Sequence, residues 1–317
     1  MKSTGFIAVL LLTALASFGQ QTSPTQTPAQ STTPQSQGAA PNQAQAAPAK
    51  PAGRTLQAQS QEEMKAFQDD MALTDPDKVE AAANAFAAKY PTSQLRASLY
   101  IRAMNLYAQS NNTDKVIEAG RLAIAADPIN PVPLVQVASA LAESTHDTDL
   151  DREQRLAEAA KDAKAAIDNI DTGLLVPANA DPARVEGAKH SILTMAYDTL
   201  GMVDLSKQDY AAAVTNLQKA ISENPSNPEA VIYLRLSVAQ DKLNQVPQAL
   251  DSANKAVQYA KDGTMVQNLA KQQQARMQKL MSAPASGSAT PAPTSPSPTP
   301  TTQTSPSPAP TSPSNPH

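Results

Sequence analysis

The 317-residue sequence contains no cysteine and no tryptophan, and it has only 3 histidines and 10 glycines. The absence of cysteine excludes disulfide bonds, thiolate metal sites, cysteine nucleophiles and a lipid-modified N-terminal cysteine. The three histidines, His146, His190 and His317, do not combine with a nucleophile and an orienting acid into a catalytic group. Glycine-rich phosphate loops and alternating strand patterns are missing as well. We therefore expect a protein that is not an enzyme and needs no cofactor.

Large apolar residues are scarce at both ends of the chain. Residues 20–61 are mostly Gln, Ala, Pro, Ser and Thr, and residues 282–317 are nearly all Pro, Ser, Thr and Ala. Such segments cannot bury enough apolar surface to offset the conformational entropy lost on folding. We predict a disordered linker at 20–61, a disordered tail at 282–317 and a folded domain at 62–281.

The first residues have the layout of a secretory signal peptide. Lys2 precedes an apolar run from Phe6 to Leu15, and small residues suited to cleavage follow near Ala16 or Gly19. Residues 1–19 are predicted to direct export, which places the protein in the periplasm or outside a bacterial cell. An uncleaved N-terminal anchor is the alternative. We expect no transmembrane segment in the mature chain, because no later stretch is apolar enough.

Negative charge prevails in the predicted domain, where 29 acidic residues accompany 22 basic ones. Nucleic-acid binding requires clustered positive charge on one face. The balance argues against a nucleic-acid partner.

Internal repeats organise residues 62–281. Asp77-Lys78-Val79 recurs 37 residues later as Asp114-Lys115-Val116, and Pro91 recurs as Pro128 at the same interval. A second set, Ala213, Leu217 and Ala220, recurs 36 residues later as Ala249, Ala253 and Ala256, and Ala159, Ala163 and Ala166 share its spacing. Apolar residues at intervals of three and four predict about eleven amphipathic helices, with small residues where the helices cross closely. The last helix, rich in Gln and Lys, is predicted to be a polar cap.

The repeat resembles the tetratricopeptide repeat family. Its best copy, from Thr194 to about Asn227, carries the family's residue types at the family's spacings, namely Tyr197, Leu200, Gly201, Tyr210, Ala213, Leu217, Ala220 and Pro225. The third hairpin departs from the pattern through an insertion at 144–152, and the first is degenerate. The resemblance implies an all-α, right-handed α-solenoid of about five helical hairpins plus a C-terminal capping helix. It also implies a concave groove, lined by the first helix of each hairpin, that binds peptides or proteins.

The positions that should face this groove are of mixed chemistry. They are Ile101, Arg102, Asn105, Asp198, Met202, Leu234, Arg235 and Val238. The Lys and Asn array with which some family members grip a C-terminal carboxylate is missing from them. A mixed groove favours an extended or helical peptide with apolar anchors.

Alternating aspartates in the insertion form the sequence's weak candidate for a metal site. Asp147, Asp149 and Asp151, followed by Glu158, resemble a calcium-binding loop, but Arg152 replaces the glycine that the sharp turn of such a loop needs. In the simpler interpretation Asp151 caps a helix while its neighbours are solvated, and no metal is bound.

Three functions remain open from the sequence. The first is a protein-binding adaptor or scaffold of the cell envelope that holds a peptide or protein of unknown identity. The second is a self-associating structural spacer in an envelope assembly. The third is a calcium-responsive or enzymatic protein that uses the insertion at 144–152.

Overall fold

The computed structural model describes residues 54–177 and 179–282. The predicted signal peptide, most of the predicted linker and almost all of the predicted tail lie outside these residues. The helices of the described part are α1 (Gln61–Met71), α2 (Pro76–Lys89), α3 (Arg96–Gln109), α4 (Thr113–Ala126), α5 (Pro131–Ser144), α6 (Arg152–Asp168), α7 (Ile170–Gly173), α8 (Pro182–Ser206), α9 (Tyr210–Glu223), α10 (Ala230–Lys242), α11 (Val246–Tyr259) and α12 (Met265–Ser282). The predicted all-α class is confirmed. The short helix α7, in the loop after α6, is the one that the sequence did not predict.

The helices pack as a stack of hairpins. The most extensive contacts lie within the pairs α3–α4, α5–α6, α8–α9 and α10–α11. Successive pairs touch through α2 and α3, α4 and α5, α6 and α8, and α9 and α10. Each hairpin thus covers the apolar face that its neighbour cannot bury alone. This confirms the predicted solenoid of about five hairpins followed by one further helix. No helix in the described part is both long and apolar enough to cross a membrane.

Three of the hairpin turns repeat the same backbone geometry. Asn111, Gln208 and Asn244 occupy the left-handed region, with φ of 56°, 60° and 58°. In each turn the following amide donates to the carbonyl oxygen five residues earlier, at 3.0 Å from Asn112 to Tyr107, 2.9 Å from Asp209 to Asp204 and 2.9 Å from Gln245 to Gln240. This is the Schellman pattern of a helix end. The repeat seen in the sequence is therefore also a repeat of backbone conformation.

The recurring small residues lie at the helix crossings, as predicted. Every member of the three recurring sets has zero exposed surface, namely Ala159, Ala163, Ala166, Ala213, Leu217, Ala220, Ala249, Ala253 and Ala256. Two glycines allow a still closer approach. A Cβ atom at Gly201 would lie 2.6 Å from Cγ of Leu217, and one at Gly120 would lie 2.2 Å from Cγ2 of Val137.

The insertion in the third hairpin is a seven-residue connection, 145–151, between α5 and α6. Arg155 fixes its start, because its guanidinium donates to Oγ of Ser144 at 2.6 Å and to Oγ1 of Thr145 at 3.0 Å. Arg152, at the start of α6, donates to the carbonyl oxygen of Ser206 at the end of α8. The connection is thus tied to two helices.

Arg54 belongs to the stretch predicted as linker, yet it is bound to the domain. Its amide donates to the carbonyl oxygen of Leu174 at 2.8 Å, and its own carbonyl oxygen accepts from the amide of Val176 at 2.7 Å. Its guanidinium forms an ion pair with Asp127 at 2.6 Å and donates to the carbonyl oxygen of Gly173 at 2.8 Å. The segment that precedes α1 is therefore joined to the loop after α6.

Candidate functional site

The predicted groove residues lie on the first helices of three hairpins. Ile101, Arg102 and Asn105 are on α3, Asp198 and Met202 are on α8, and Leu234, Arg235 and Val238 are on α10. Most of them are half-buried. Met202 differs, since only 9% of its surface is exposed and it belongs to a core cluster with Val203 and Leu141. Its side chain packs in the core between neighbouring hairpins and therefore offers little surface to a ligand.

Arg102 and Asn105 are not joined to the residues on α8 and α10. The guanidinium of Arg102 donates to the carbonyl oxygen of Leu73, in the turn between α1 and α2, at 3.1 Å. Nε of Arg102 and Oδ1 of Asn105 are buried and have no hydrogen-bond partner among the described residues. This part of the predicted groove therefore belongs to the first two hairpins.

Asp198 and Arg235 do come together. They form an ion pair between α8 and α10, and a second nitrogen of Arg235 lies 3.9 Å from Oε1 of Glu143 at the end of α5. Oδ1 of Asp198 is buried and accepts no hydrogen bond from the described residues. One arginine thus links the first helices of three successive hairpins. We call the surface around Glu143, Asp198, Glu229 and Arg235 the acidic face.

The carboxyl groups of the acidic face are crowded. Glu143 keeps an exposed surface, but partial loss of solvent around its carboxyl group raises its pKa, with Arg235 opposing the change and Asp198 raising it further. Glu229, which precedes α10, keeps an exposed surface, but partial loss of solvent around its carboxyl group raises its pKa, and repulsion from Asp198 adds to this. Three carboxyl groups share one guanidinium, so the face carries excess negative charge when they are ionised.

Glu143 and Glu229 were not among the predicted groove residues. Glu143 lies at the end of α5, and no residue of that helix was among the predicted groove positions. Glu229 lies outside the helical part of its hairpin, where the sequence shows only a residue near a helix start. Their proximity to Arg235 depends on how three hairpins stack, which repeat spacing alone does not specify.

The carboxylates of the candidate calcium loop do not converge. Oδ2 of Asp149 accepts from the amide of His146 at 2.7 Å, and Asp147 lies 3.4 Å from Arg152 with its side chain almost fully exposed. Asp151 begins α6 without a side-chain capping hydrogen bond. Glu158 lies within α6, where both its oxygens accept from Arg121 of α4, at 2.8 and 2.7 Å. Among residues 54–177 and 179–282 no three His, Cys, Asp or Glu side chains gather as a metal site would require.

A cavity of about 520 Å³ lies between α4 and α6, on second helices of their hairpins. Its walls include the ion pair of Arg121 with Glu158, together with Ile117, Asp151 and Arg155. Both signs of charge are present and largely paired. Its lining holds two more acidic side chains than basic ones, as the acidic face does, but Glu158, Asp151 and Glu118 are paired with Arg121, Arg155 and Lys115.

Comparison with known proteins finds solved structures at low similarity. No family model matches the sequence, and no curated protein matches it. Among solved structures, an assembly chaperone of RpL4 (Acl4, residues 1–338) is 11% identical with a TM-score of 0.37, and the comparison covers 69% of this chain and 98% of that one. PilW, described as a widely conserved type IV pilus biogenesis factor, is 14% identical with a TM-score of 0.35, covering 66% and 98%.

Proposed function

We propose that the protein is a non-enzymatic adaptor or scaffold that holds a peptide or protein segment on its acidic face. The observation that carries this proposal is that three carboxyl groups, those of Asp198, Glu143 and Glu229, interact with the single guanidinium of Arg235. Glu143 and Glu229 keep exposed surface, and charge-assisted hydrogen bonds to carboxylates are among the strongest that a ligand can form. Since Glu143 and Glu229 add further negative charge nearby, a Lys or Arg side chain of a partner is the complementary group.

Apolar side chains beside the acidic face indicate that the ligand also carries an apolar group. Leu234 and Val238 are half-buried on α10 and lie on either side of Arg235 in sequence. Residues four apart share one face of a helix. A segment with an apolar side chain next to its basic one would contact both surfaces. The preferred ligand is therefore basic and apolar, in an extended or helical conformation.

The proposal also includes the cellular location and the family of the protein. The signal-peptide pattern of residues 1–19 supports export to the cell envelope, and the motifs around Tyr197 and Tyr210 support membership of the tetratricopeptide family. In this account the protein positions a partner in the periplasm or outside the cell and carries out no chemistry on it.

Binding of two labelled peptides tests the proposal. The first is a nine-residue peptide with a central Arg between two Leu residues, and the second has Glu in place of that Arg. Fluorescence anisotropy should show binding of the basic peptide and at least about tenfold weaker binding of its acidic twin, as expected for one charge-assisted contact. Equal binding of the two peptides would contradict the proposal.

Matched variants locate the contact. Glu143→Gln combined with Glu229→Gln removes two charges from the acidic face and should weaken binding of the basic peptide at least about tenfold. Glu153→Gln combined with Asp168→Asn removes the same charge from α6 and should leave the affinity within about twofold. An equal loss in both variants would show that net charge, and not this face, attracts the peptide.

A further inference from the structure

Arg235 provides the positive charge of the acidic face. Its side chain begins on α10, forms an ion pair with Asp198 of α8 and places a second nitrogen 3.9 Å from Oε1 of Glu143 at the end of α5. Partial loss of solvent raises the pKa of Glu143 and of Glu229, and Arg235 counteracts this rise at both. One guanidinium thus attracts all three carboxyl groups.

The contacts of Arg235 differ from those of the arginines that fix loops and turns. Arg54, Arg102 and Arg152 each donate to a backbone carbonyl oxygen. Arg235 instead contacts carboxylate side chains, which are also the groups proposed to bind a basic ligand. A guanidinium or ammonium group of that ligand can form the same charge-assisted hydrogen bonds. Arg235 and the ligand therefore require the same acceptors.

The ion pairs of Arg235 are accessible from solvent. The exposed fraction of the side chain is 20% for Arg235, 13% for Asp198 and 35% for Glu143. Charged side chains that keep contact with water lose less on separating than fully buried ones, because water replaces the lost contact. Leu234 precedes Arg235 and Val238 follows it by one turn, so a ligand on these half-buried side chains lies beside the guanidinium.

We propose that Arg235 is a built-in competitor of the ligand, which occupies Asp198 and Glu143 in the free protein and is displaced when a basic side chain of the ligand binds there. This inference rests on the proposed function of the acidic face. Because Arg235 belongs to the same chain, its effective concentration at the carboxylates is far above that of a free peptide. The apparent affinity for a ligand is reduced in proportion to the fraction of molecules whose carboxylates are free. Arg235 thereby selects ligands that gain further contacts, such as those with Leu234 and Val238.

Binding of the basic peptide to variants of the full chain, measured by fluorescence anisotropy, tests this inference. Arg235→Gln removes the competing charge but keeps a side chain that can donate to Asp198, and it should strengthen binding at least about tenfold. Arg235→Lys keeps a competing charge that cannot fork between two carboxylates, so its affinity should lie between the two. Lys242→Gln removes the same charge from an exposed position about 10 Å further along α10 and should change the affinity at most about threefold.

The same titrations distinguish this inference from the proposed function. If the unmodified chain binds the basic peptide and Arg235→Gln, still helical by circular dichroism, binds it no more tightly, the competition is refuted and the binding function stands. An equal gain in Lys242→Gln would refute the competition as well, because net charge would then explain the effect. Binding by Arg235→Gln alone would support the competition and contradict the proposed function of the unmodified chain. Failure of both proteins to bind at about 1 mM peptide would refute both.

Exchange of the Nε proton of Arg235 with solvent measures the displacement directly. Its nuclear magnetic resonance signal is assigned by its absence from the spectrum of Arg235→Gln. Saturation with the basic peptide should accelerate this exchange at least about threefold, because the displaced guanidinium returns to water, and the acidic twin should leave it unchanged. A peptide that binds over an intact ion pair would slow the exchange instead, and this result would overturn the proposal.

Discussion

Two glycines of α8 show how much the packing of single residues depends on position. Gly201 faces Leu217 so closely that an added Cβ atom would lie 2.6 Å from Cγ and 2.7 Å from Cδ2, whereas a Cβ atom at Gly187 would meet nothing within 4 Å. Alanine favours a helix over glycine by about 1 kcal/mol. Overpacking a close helix crossing costs about 1–3 kcal/mol. The two effects have opposite signs, and only the surroundings decide which is larger.

We therefore predict opposite results for the same substitution in one helix. Gly187→Ala should raise the free energy of unfolding by about 0.5–1 kcal/mol. Gly201→Ala should lower it by about 1–2 kcal/mol, because α8 and α9 must move apart. Urea denaturation followed by circular dichroism measures both. A higher free energy of unfolding for Gly201→Ala would show that the crossing of α8 and α9 has room for an added methyl group.

The turn residue Gln208 permits a second test at this scale. Its φ of 60° is a conformation that asparagine, present in the equivalent turns, and glycine adopt more readily. Gln208→Gly should stabilise the fold by about 0.5–1 kcal/mol, since relief of backbone strain exceeds the added entropy of the unfolded chain. The neighbouring Lys207 has a φ of −86°, so Lys207→Gly should bring no such gain. A loss of stability in Gln208→Gly would contradict the strained turn.

Elements were predictable from the sequence where small residues recur at fixed intervals. About eleven helices were predicted and the described residues form twelve, and the intervals of 36 and 37 residues place equivalent helices at equivalent positions. Contacts that depend on a single residue were not predictable. Arg54 lies in a low-complexity stretch, and its bridge to Leu175 spans more than a third of the chain without any periodic signal.

The anchoring of the segment before α1 gives the prediction at the scale of elements. Arg54→Ala removes the ion pair with Asp127 and the hydrogen bond to Gly173, and should lower the free energy of unfolding by about 1–2 kcal/mol. Hydrogen exchange at the amide of Val176, which donates to Arg54, should accelerate first. The exposed neighbour Thr55 provides the control, because Thr55→Ala should leave both quantities unchanged. Unchanged exchange in Arg54→Ala would mean that the segment is not anchored there.

At the scale of the whole molecule, stacking places charges from separate hairpins on one surface. Glu143, Asp198 and Arg235 are far apart in sequence and meet only because α5, α8 and α10 are first helices of consecutive hairpins. The family resemblance implies a groove surface that includes Asp198 and Arg235. Its net sign became apparent only once Glu143 and Glu229 were located.

The pH dependence of binding follows from the raised pKa values of Glu143 and Glu229. A cationic ligand requires both groups to be ionised, so affinity for the basic peptide should be greatest near pH 7 and fall as the pH drops through pKa values that lie above 4.5. In the free protein these two groups act in the opposite direction. Because their pKa is higher in the folded state, their contribution to stability is present at low pH and is lost as the pH rises. Loss of binding while the helical signal persists separates ligand release from acid unfolding. An affinity that stays constant from pH 7.5 down to pH 4 would contradict the assignment.

Site-specific photocrosslinking shows directly where a bound peptide lies on the protein. A photoreactive phenylalanine derivative is placed at Leu234, beside the acidic face, or at the exposed Ala211 on α9 as a control. We expect the basic peptide to form an adduct at position 234, its acidic twin to form none there, and neither peptide to react at position 211. Equal yields at the two positions, or no adduct at position 234 at saturating peptide, would contradict a binding surface formed by α5, α8 and α10.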